Sequence, residues 1–165
     1  LTKHSEGSGK TLEYVDAGTG EKIVPHVIEP SLGVDRTVLA ILTSAYSEDT
    51  MGDDTRVFLK LSPNVAPIKV AVFPLLKNKP ELVKKAREIY EMVRAEIPQT
   101  MFDDNGNVGK RYRRQDEIGT PVCVTIDFET VEDDNSVTLR DRDTGEQERV
   151  KVEDLMDKLR ERMQG

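Results

Sequence analysis

From Lys69 onward the chain alternates between two periodicities, and this alternation limits its possible folds more than any other feature. Lys69-Val70-Ala71-Val72-Phe73 is an apolar, β-branched run that reads as a buried strand. Pro80 suits a first helical position, and Leu82, Ala86, Ile89, Val93 and Ile97 recur at helical spacing until Pro98 ends the pattern. Thr100 to Phe102 reads as a short strand, followed by a turn at Asp104-Asn105-Gly106. Val108 to Ile118 is polar and helical, with Gly119 as its stop. Val122 to Phe128 is a strand, and Glu132 to Asn135 a turn. Ser136 to Asp141 and Gln147 to Val152 are two more strands around Asp143-Thr144-Gly145, and Glu153 to Met163 is a closing helix. Strands alternating with helices, then a hairpin, predict an α/β three-layer domain with a mixed five-stranded sheet.

The N-terminal part has another texture. Residues 1 to 20 are glycine-rich and polar, the composition of a mobile loop. Leu12 to Val15 is expected to pair with Lys22 to Ile28 across Asp16-Ala17-Gly18-Thr19-Gly20. Val24 to Ile28 reads as an extended apolar strand ending at Glu29-Pro30-Ser31. Gly33 opens a helix with Val34, Val38, Leu42 and Ala45 on one stripe, running to Tyr46. Ser47 to Thr55 is acidic and reads as a loop, Arg56 to Leu61 as a short extended stretch, and Ser62-Pro63-Asn64 as a turn. The domain boundary is expected there, giving residues 1–61 and 62–165.

Composition excludes several classes. With 165 residues the chain is one domain, or one domain with an appendage. No apolar run approaches the length of a membrane span. The single cysteine, Cys123, lies in the apolar run Pro121 to Val124. It forms no internal disulfide, fits a reducing, cytoplasmic compartment, and reads as a small core residue. The start at Leu1, without Met or a leader pattern, is expected of a fragment or processed chain. The net charge of −7 opposes unselective nucleic-acid binding, because phosphate contacts need cations. A local patch remains available: Lys110-Arg111-Tyr112-Arg113-Arg114 gathers four cations around one aromatic. The acidic excess lies partly elsewhere, at Glu48-Asp49, Asp53-Asp54, Asp103-Asp104 and Glu132-Asp133-Asp134.

Some motifs lead nowhere. Ser8-Gly9-Lys10-Thr11 lacks the earlier glycine, the preceding strand and the following helix of a phosphate loop. His4 and His26 have no second histidine or cysteine at ligand spacing, so no metal site is assigned.

Val24 to Arg36 carries more chemistry. Where the expected strand hands over to the helix, a carboxylate (Glu29), a hydroxyl (Ser31) and a guanidinium (Arg36) come close in sequence. A carboxylate holds an ammonium, and a guanidinium grips phosphate oxygens in a forked contact. An amine-bearing substrate beside a nucleotide is the simplest pair that needs all three.

EPSLGVDR followed by TVLAILTSAY resembles motif 3 of the class II aminoacyl-tRNA synthetases. The preceding VPHVIEPS is similar to the homodimeric glycyl-tRNA synthetases in particular. KVAVFPLL, GKRYRRQDEIGTPVCVTIDF and VTLRDRDTGEQ follow in the order of that family's anticodon-binding domain. The resemblance implies a C-terminal fragment of a glycine–tRNA ligase. Residues 1–61 would be a remnant of the antiparallel class II catalytic domain, and 62–165 the anticodon-binding domain. It further implies that Glu29 and Ser31 bind glycine, that Gly33 and Arg36 bind ATP, and that Mg2+ assists in the parent enzyme. No catalytic residue is assigned, and no cofactor is expected to stay bound to the fragment. Motifs 1 and 2 of the family are missing, so the chain alone is expected to be inactive in aminoacylation.

The same resemblance makes tRNA(Gly) the partner, within a cytoplasmic homodimer and with no membrane. Single-stranded bases are read by stacking and by polar contacts to their edges. The candidates are Lys110, Arg111, Arg113, Arg114, Arg140 and Arg142, with Tyr112 as a stacking face. A solvated face laced by internal ion pairs, with Asp141 and Asp143 on the neighbouring arginines, is the competing reading of these charges. The competing reading of function is a non-enzymatic, nucleic-acid-binding accessory module with an anticodon-binding-like fold.

Overall fold

The computed structural model describes residues 1–51, 54–132 and 135–164. Asp53, Asp133 and Asp134, and with them part of the turn expected at 132–135, lie outside the described residues. The chain divides into two compact units, Leu1–Thr37 and Val38–Gly165.

In the first unit a short helix α1 (Thr2–Ser8) stands where the composition predicts a loop. Local bonds explain it: Ser8 Oγ donates to the His4 carbonyl at 2.6 Å, and Gly9 closes the turn in the left-handed region with φ 68°. Strands β1 (Tyr14–Val15) and β2 (Lys22–Ile23) pair antiparallel. Asp16 Oδ1 organises the intervening turn by accepting from the Gly18 and Thr19 amides at 2.9 and 2.8 Å. The strand expected over 24–28 is absent, since β2 stops at Ile23. Pro25 brings no amide hydrogen to a ladder, and residues 24 to 33 stay exposed. Helix α2 (Val34–Ala45) then begins where its glycine opening and apolar stripe place it.

The second unit holds the rest. α2 runs directly into β3 (Tyr46–Met51), which pairs antiparallel with β4 (Asp54–Leu59). This hairpin replaces the loop expected at 47–55. An acidic run reads as loop by composition, but here Asp49 stands opposite Arg56 in register, and that cation offsets its charge. Next come β5 (Val70–Pro74), α3 (Pro80–Glu96), β6 (Thr100–Phe102), α4 (Val108–Ile118), β7 (Val122–Ile126), α5 (Phe128–Glu132), β8 (Ser136–Asp141), β9 (Gln147–Lys151) and α6 (Leu155–Met163). Among the described residues, five strands form one mixed sheet in the order β6-β5-β7-β8-β9. β5 is parallel to β6 and β7, and β8 is antiparallel to β7 and β9. The expected α/β fold with a mixed five-stranded sheet is the observed one.

Side-chain alternation along the strands builds the layers. Val70, Val72, Val122, Val124 and Ile126 pack with Ala86, Ile89 and Val93 of α3 and with Leu155 and Leu159 of α6. Ala71, Phe73 and Cys123, of opposite parity, pack with Val108 and Tyr112 of α4. The strand expected over Val122 to Phe128 stops at Ile126, and Phe128 opens helix α5 instead. Its Asp127 caps it, accepting from the Thr130 amide at 3.1 Å and hydroxyl at 2.9 Å. Among the described residues, no helix is long and apolar enough to cross a membrane.

Candidate nucleic-acid interface

Helix α4 positions the basic run. The Asn107 side chain caps it by accepting from the Lys110 amide at 2.9 Å, and Gly119 ends it with φ 82°. Helical periodicity then sorts the cations that look equivalent in sequence. Lys110 and Arg113 are exposed and Arg114 half-buried; with Asn107, Gly109 and Glu117 they line a shallow depression of about 520 Å³. Arg114 is held to Asp103 at 2.7 Å and to the Asn105 carbonyl at 2.7 Å. Arg111 turns inward and is 1% exposed. Its guanidinium donates to the carbonyls of Pro74, Asp104 and Gly106, tying loop 103–107 to the end of β5. Burial lowers its pKa, but an arginine starts so high that it stays a cation.

Arg140 and Arg142 are also interior. Arg140 donates to both oxygens of Asp116 at 2.8 and 3.0 Å, and its guanidinium lies over the Tyr112 ring, 4.7 Å from the centroid. Burial pushes the Arg140 pKa down, but the bonds to Asp116 outweigh it and the net shift is upward. Arg142 donates to the carbonyls of Leu61 and Gly119 at 2.9 and 2.8 Å and pairs with Asp143 at 2.8 Å. Asp141 pairs instead with Arg162 at 2.8 Å. The geometry of Arg111, Arg140 and Arg142 is therefore that of internal braces.

Beside α4 lies a narrower cleft of about 270 Å³. Tyr112, Arg113, Asp116 and Arg140 line it, together with Arg56 and Gln147. Tyr112 packs edge-on against Phe73, with centroids 5.2 Å apart, and its hydroxyl meets Thr125 Oγ1 at 2.7 Å. Burial raises the phenol's pKa, so Tyr112 is neutral at physiological pH. Cys123, behind Tyr112, has its thiol pushed up by burial and is inert.

Sequence reasoning passed over Arg56, Asp116 and Gln147. Asp116 follows Tyr112 by four residues, a spacing that puts both on one side of a helix and could have marked it. For Arg56 the only signal is one cation heading the apolar run Val57-Phe58-Leu59.

The motif 3 candidates belong to the first unit. Glu29 and Ser31 lie on the exposed stretch between β2 and α2, flanked by Ile28 at 94% and Leu32 at 87% exposure. Gly33 and Arg36 are brought together: a Cβ on Gly33 would sit 3.8 Å from the Arg36 stem. Among the described residues, no group of three or more His, Cys, Asp or Glu could hold a metal ion.

A family model described as an anticodon binding domain matches residues 69–162. The chain is 49% identical over 164 residues to a glycine–tRNA ligase of Clostridium acetobutylicum, covering 99% of this chain and 34% of the relative. A glycine–tRNA ligase of Caldanaerobacter subterraneus is 49% identical over 163 residues, with 99% and 34% covered. One from Thermobifida fusca is 48% identical over 170 residues, with 100% and 36% covered. The chain thus spans about a third of the length of the curated relatives it matches.

Proposed function

The chain belongs to the anticodon binding domain family, and we propose that it is the motif 3 and anticodon-reading part of a class II, homodimeric glycine–tRNA ligase. In this reading residues 1–61 belong to the catalytic domain and 62–165 to the anticodon-binding domain.

The observation that supports it most is the cleft beside α4, lined mostly by residues of the matched segment. It offers an aromatic plane and a guanidinium plane, from Tyr112 and Arg140, at a size suited to one base. Gln147 offers donors and acceptors to the base edge, while Lys110, Arg113 and Arg114 meet backbone phosphates along the neighbouring depression. Arg111 and Arg142 serve indirectly, by fixing the elements that carry those groups.

The parent reaction has two steps. The carboxylate of glycine attacks the α-phosphate of ATP, giving glycyl-adenylate and pyrophosphate. The 3′-terminal ribose hydroxyl of tRNA(Gly) then takes the glycyl group and AMP leaves. Glu29 would hold the glycine ammonium, Ser31 would close a small pocket around it, and Arg36 beside Gly33 would hold nucleotide phosphates. Mg2+ would supply charge neutralisation on the phosphates. The setting is cytoplasmic.

Glycine-dependent ATP–pyrophosphate exchange on the purified chain tests the division of labour. The expected result is no exchange alongside salt-sensitive tRNA binding. Robust exchange, or no tRNA binding at low salt, would overturn it.

A further inference from the structure

Arg56 comes from β4, ahead of the segment that the family model matches, yet it reaches into the cleft. All five of its N–H groups are engaged. Nε and Nη2 donate to the two oxygens of Asp49 at 2.9 and 2.5 Å. Nη1 donates to Asp116 Oδ2 at 3.1 Å and to the Arg142 carbonyl at 2.6 Å, and Nη2 also approaches the Asp143 carbonyl at 3.4 Å. A side chain so committed has nothing left to offer a ligand. Its influence must pass through the groups it holds.

Chief among these is Asp116, whose two oxygens accept from Nη1 and Nη2 of Arg140. Arg56 fixes one edge of that carboxylate, the carboxylate fixes Arg140, and Arg140 lies over Tyr112. Two guanidinium groups and the two carboxylates of Asp49 and Asp116 balance in charge, so the group is neutral as a unit. Asp49 anchors Arg56 from the opposite strand of the hairpin, in register with it.

We propose that Arg56 is a positioning residue for base reading, a hairpin-borne brace that locks Asp116 and Arg140 into one arrangement facing the cleft. This rests on the reading that the cleft takes an anticodon base. Lysine cannot replace it: one ammonium retains the charge but cannot span Asp49, Asp116 and the Arg142 carbonyl from fixed directions. Loss of the brace frees the carboxylate to rotate and Arg140 to follow. The contact with the base then exists in several geometries rather than one.

The test measures dissociation constants of the full 165-residue chain for a tRNA with a glycine anticodon and for the same tRNA with one anticodon base changed. Arg56→Lys is expected to lower the discrimination ratio, the constant for the changed tRNA divided by that for the glycine-anticodon tRNA, about tenfold. Asp49→Asn, which loosens the anchor from a partly exposed site, is expected to lower it about threefold. Partial unfolding would weaken both tRNAs alike and leave the ratio untouched. Should Arg56→Lys fail to fold, Asp49→Asn carries the test alone. Wild-type ratios in the folded variants overturn the positioning role. A wild-type chain that binds both tRNAs equally overturns the base-reading premise and this proposal with it.

Discussion

Arg56 and Asp116 meet at 3.1 Å although 60 residues separate them in the chain. Both are almost fully buried, and Arg140 closes the other side of the same carboxylate at 2.8 Å. One carboxylate thus bridges two interior guanidinium groups, with Asp49 supplying the second negative charge, and it does so at the wall of the cleft.

Asp116→Ala should therefore be among the more damaging single substitutions in this chain. It leaves Arg56 and Arg140 buried beside each other without their shared counter-ion, a loss of about 3–5 kcal/mol for a broken buried pair. Urea unfolding followed by circular dichroism measures it. A change under 1 kcal/mol would mean that Asp49 and the carbonyls are sufficient partners.

Gly119→Ala should destabilise by about 2 kcal/mol through two costs at once. The residue sits at φ 82°, and an added Cβ would lie 2.7 Å from Leu61 Cδ1 and 3.0 Å from the Leu59 carbonyl. The same measurement checks it; an unchanged midpoint would show that Leu61 repacks at no cost.

Acid should loosen the hairpin. The hydrogen bonds from Arg56 hold the Asp49 carboxyl below its ordinary value, against a smaller opposing effect of burial. A group whose folded pKa is depressed contributes stability above its unfolded pKa, and that contribution disappears as pH falls through the folded value. Asp141 behaves alike: burial pushes its pKa up, but the Thr144 amide and Arg162 outweigh that and the net shift is downward. Stability should hold at neutral pH and fall from about pH 4 downward. Asp49→Asn and Asp141→Asn should each flatten that fall. Parallel wild-type and variant curves would contradict the assignment.

Cys123 should resist alkylation and disulfide reagents at pH 8 in the native chain and react fully in denaturant. It is 1% exposed, and burial pushes its thiol well above the ordinary range, so little thiolate forms. Rapid native-state labelling would indicate that the layer between the sheet and α4 opens readily.

The fold was largely legible because punctuation and periodicity agreed. Pro80 and Gly119 bracket α3 and α4 where the pattern changes, and the β-branched runs became the sheet. Legibility failed where tertiary partners decide. Ser47 to Thr55 reads as loop until Arg56 supplies the cation opposite Asp49. Val24 to Ile28 reads as strand from its side chains, but Pro25 interrupts any ladder. At the candidate site, Lys110 to Arg114 looks like one patch in sequence. The helical repeat turns Arg111 into the interior and leaves Lys110 and Arg113 outside, a distinction that emerges only once the face covering Phe73 is known. Arg56 was missed for a related reason, since it has no recognisable partner until the hairpin packs beside α4; for Asp116 the sequence offers only its helical spacing from Tyr112.

The most direct measurement is the affinity of the chain for a tRNA bearing a glycine anticodon, set against the same tRNA with one anticodon base replaced. Wild-type chain is predicted to prefer the first by about tenfold or more, and Gln147→Ala to erode that preference. Arg113→Ala should weaken both tRNAs and flatten the salt dependence. Equal affinity for the two tRNAs, across salt concentrations at which both bind, would contradict the account.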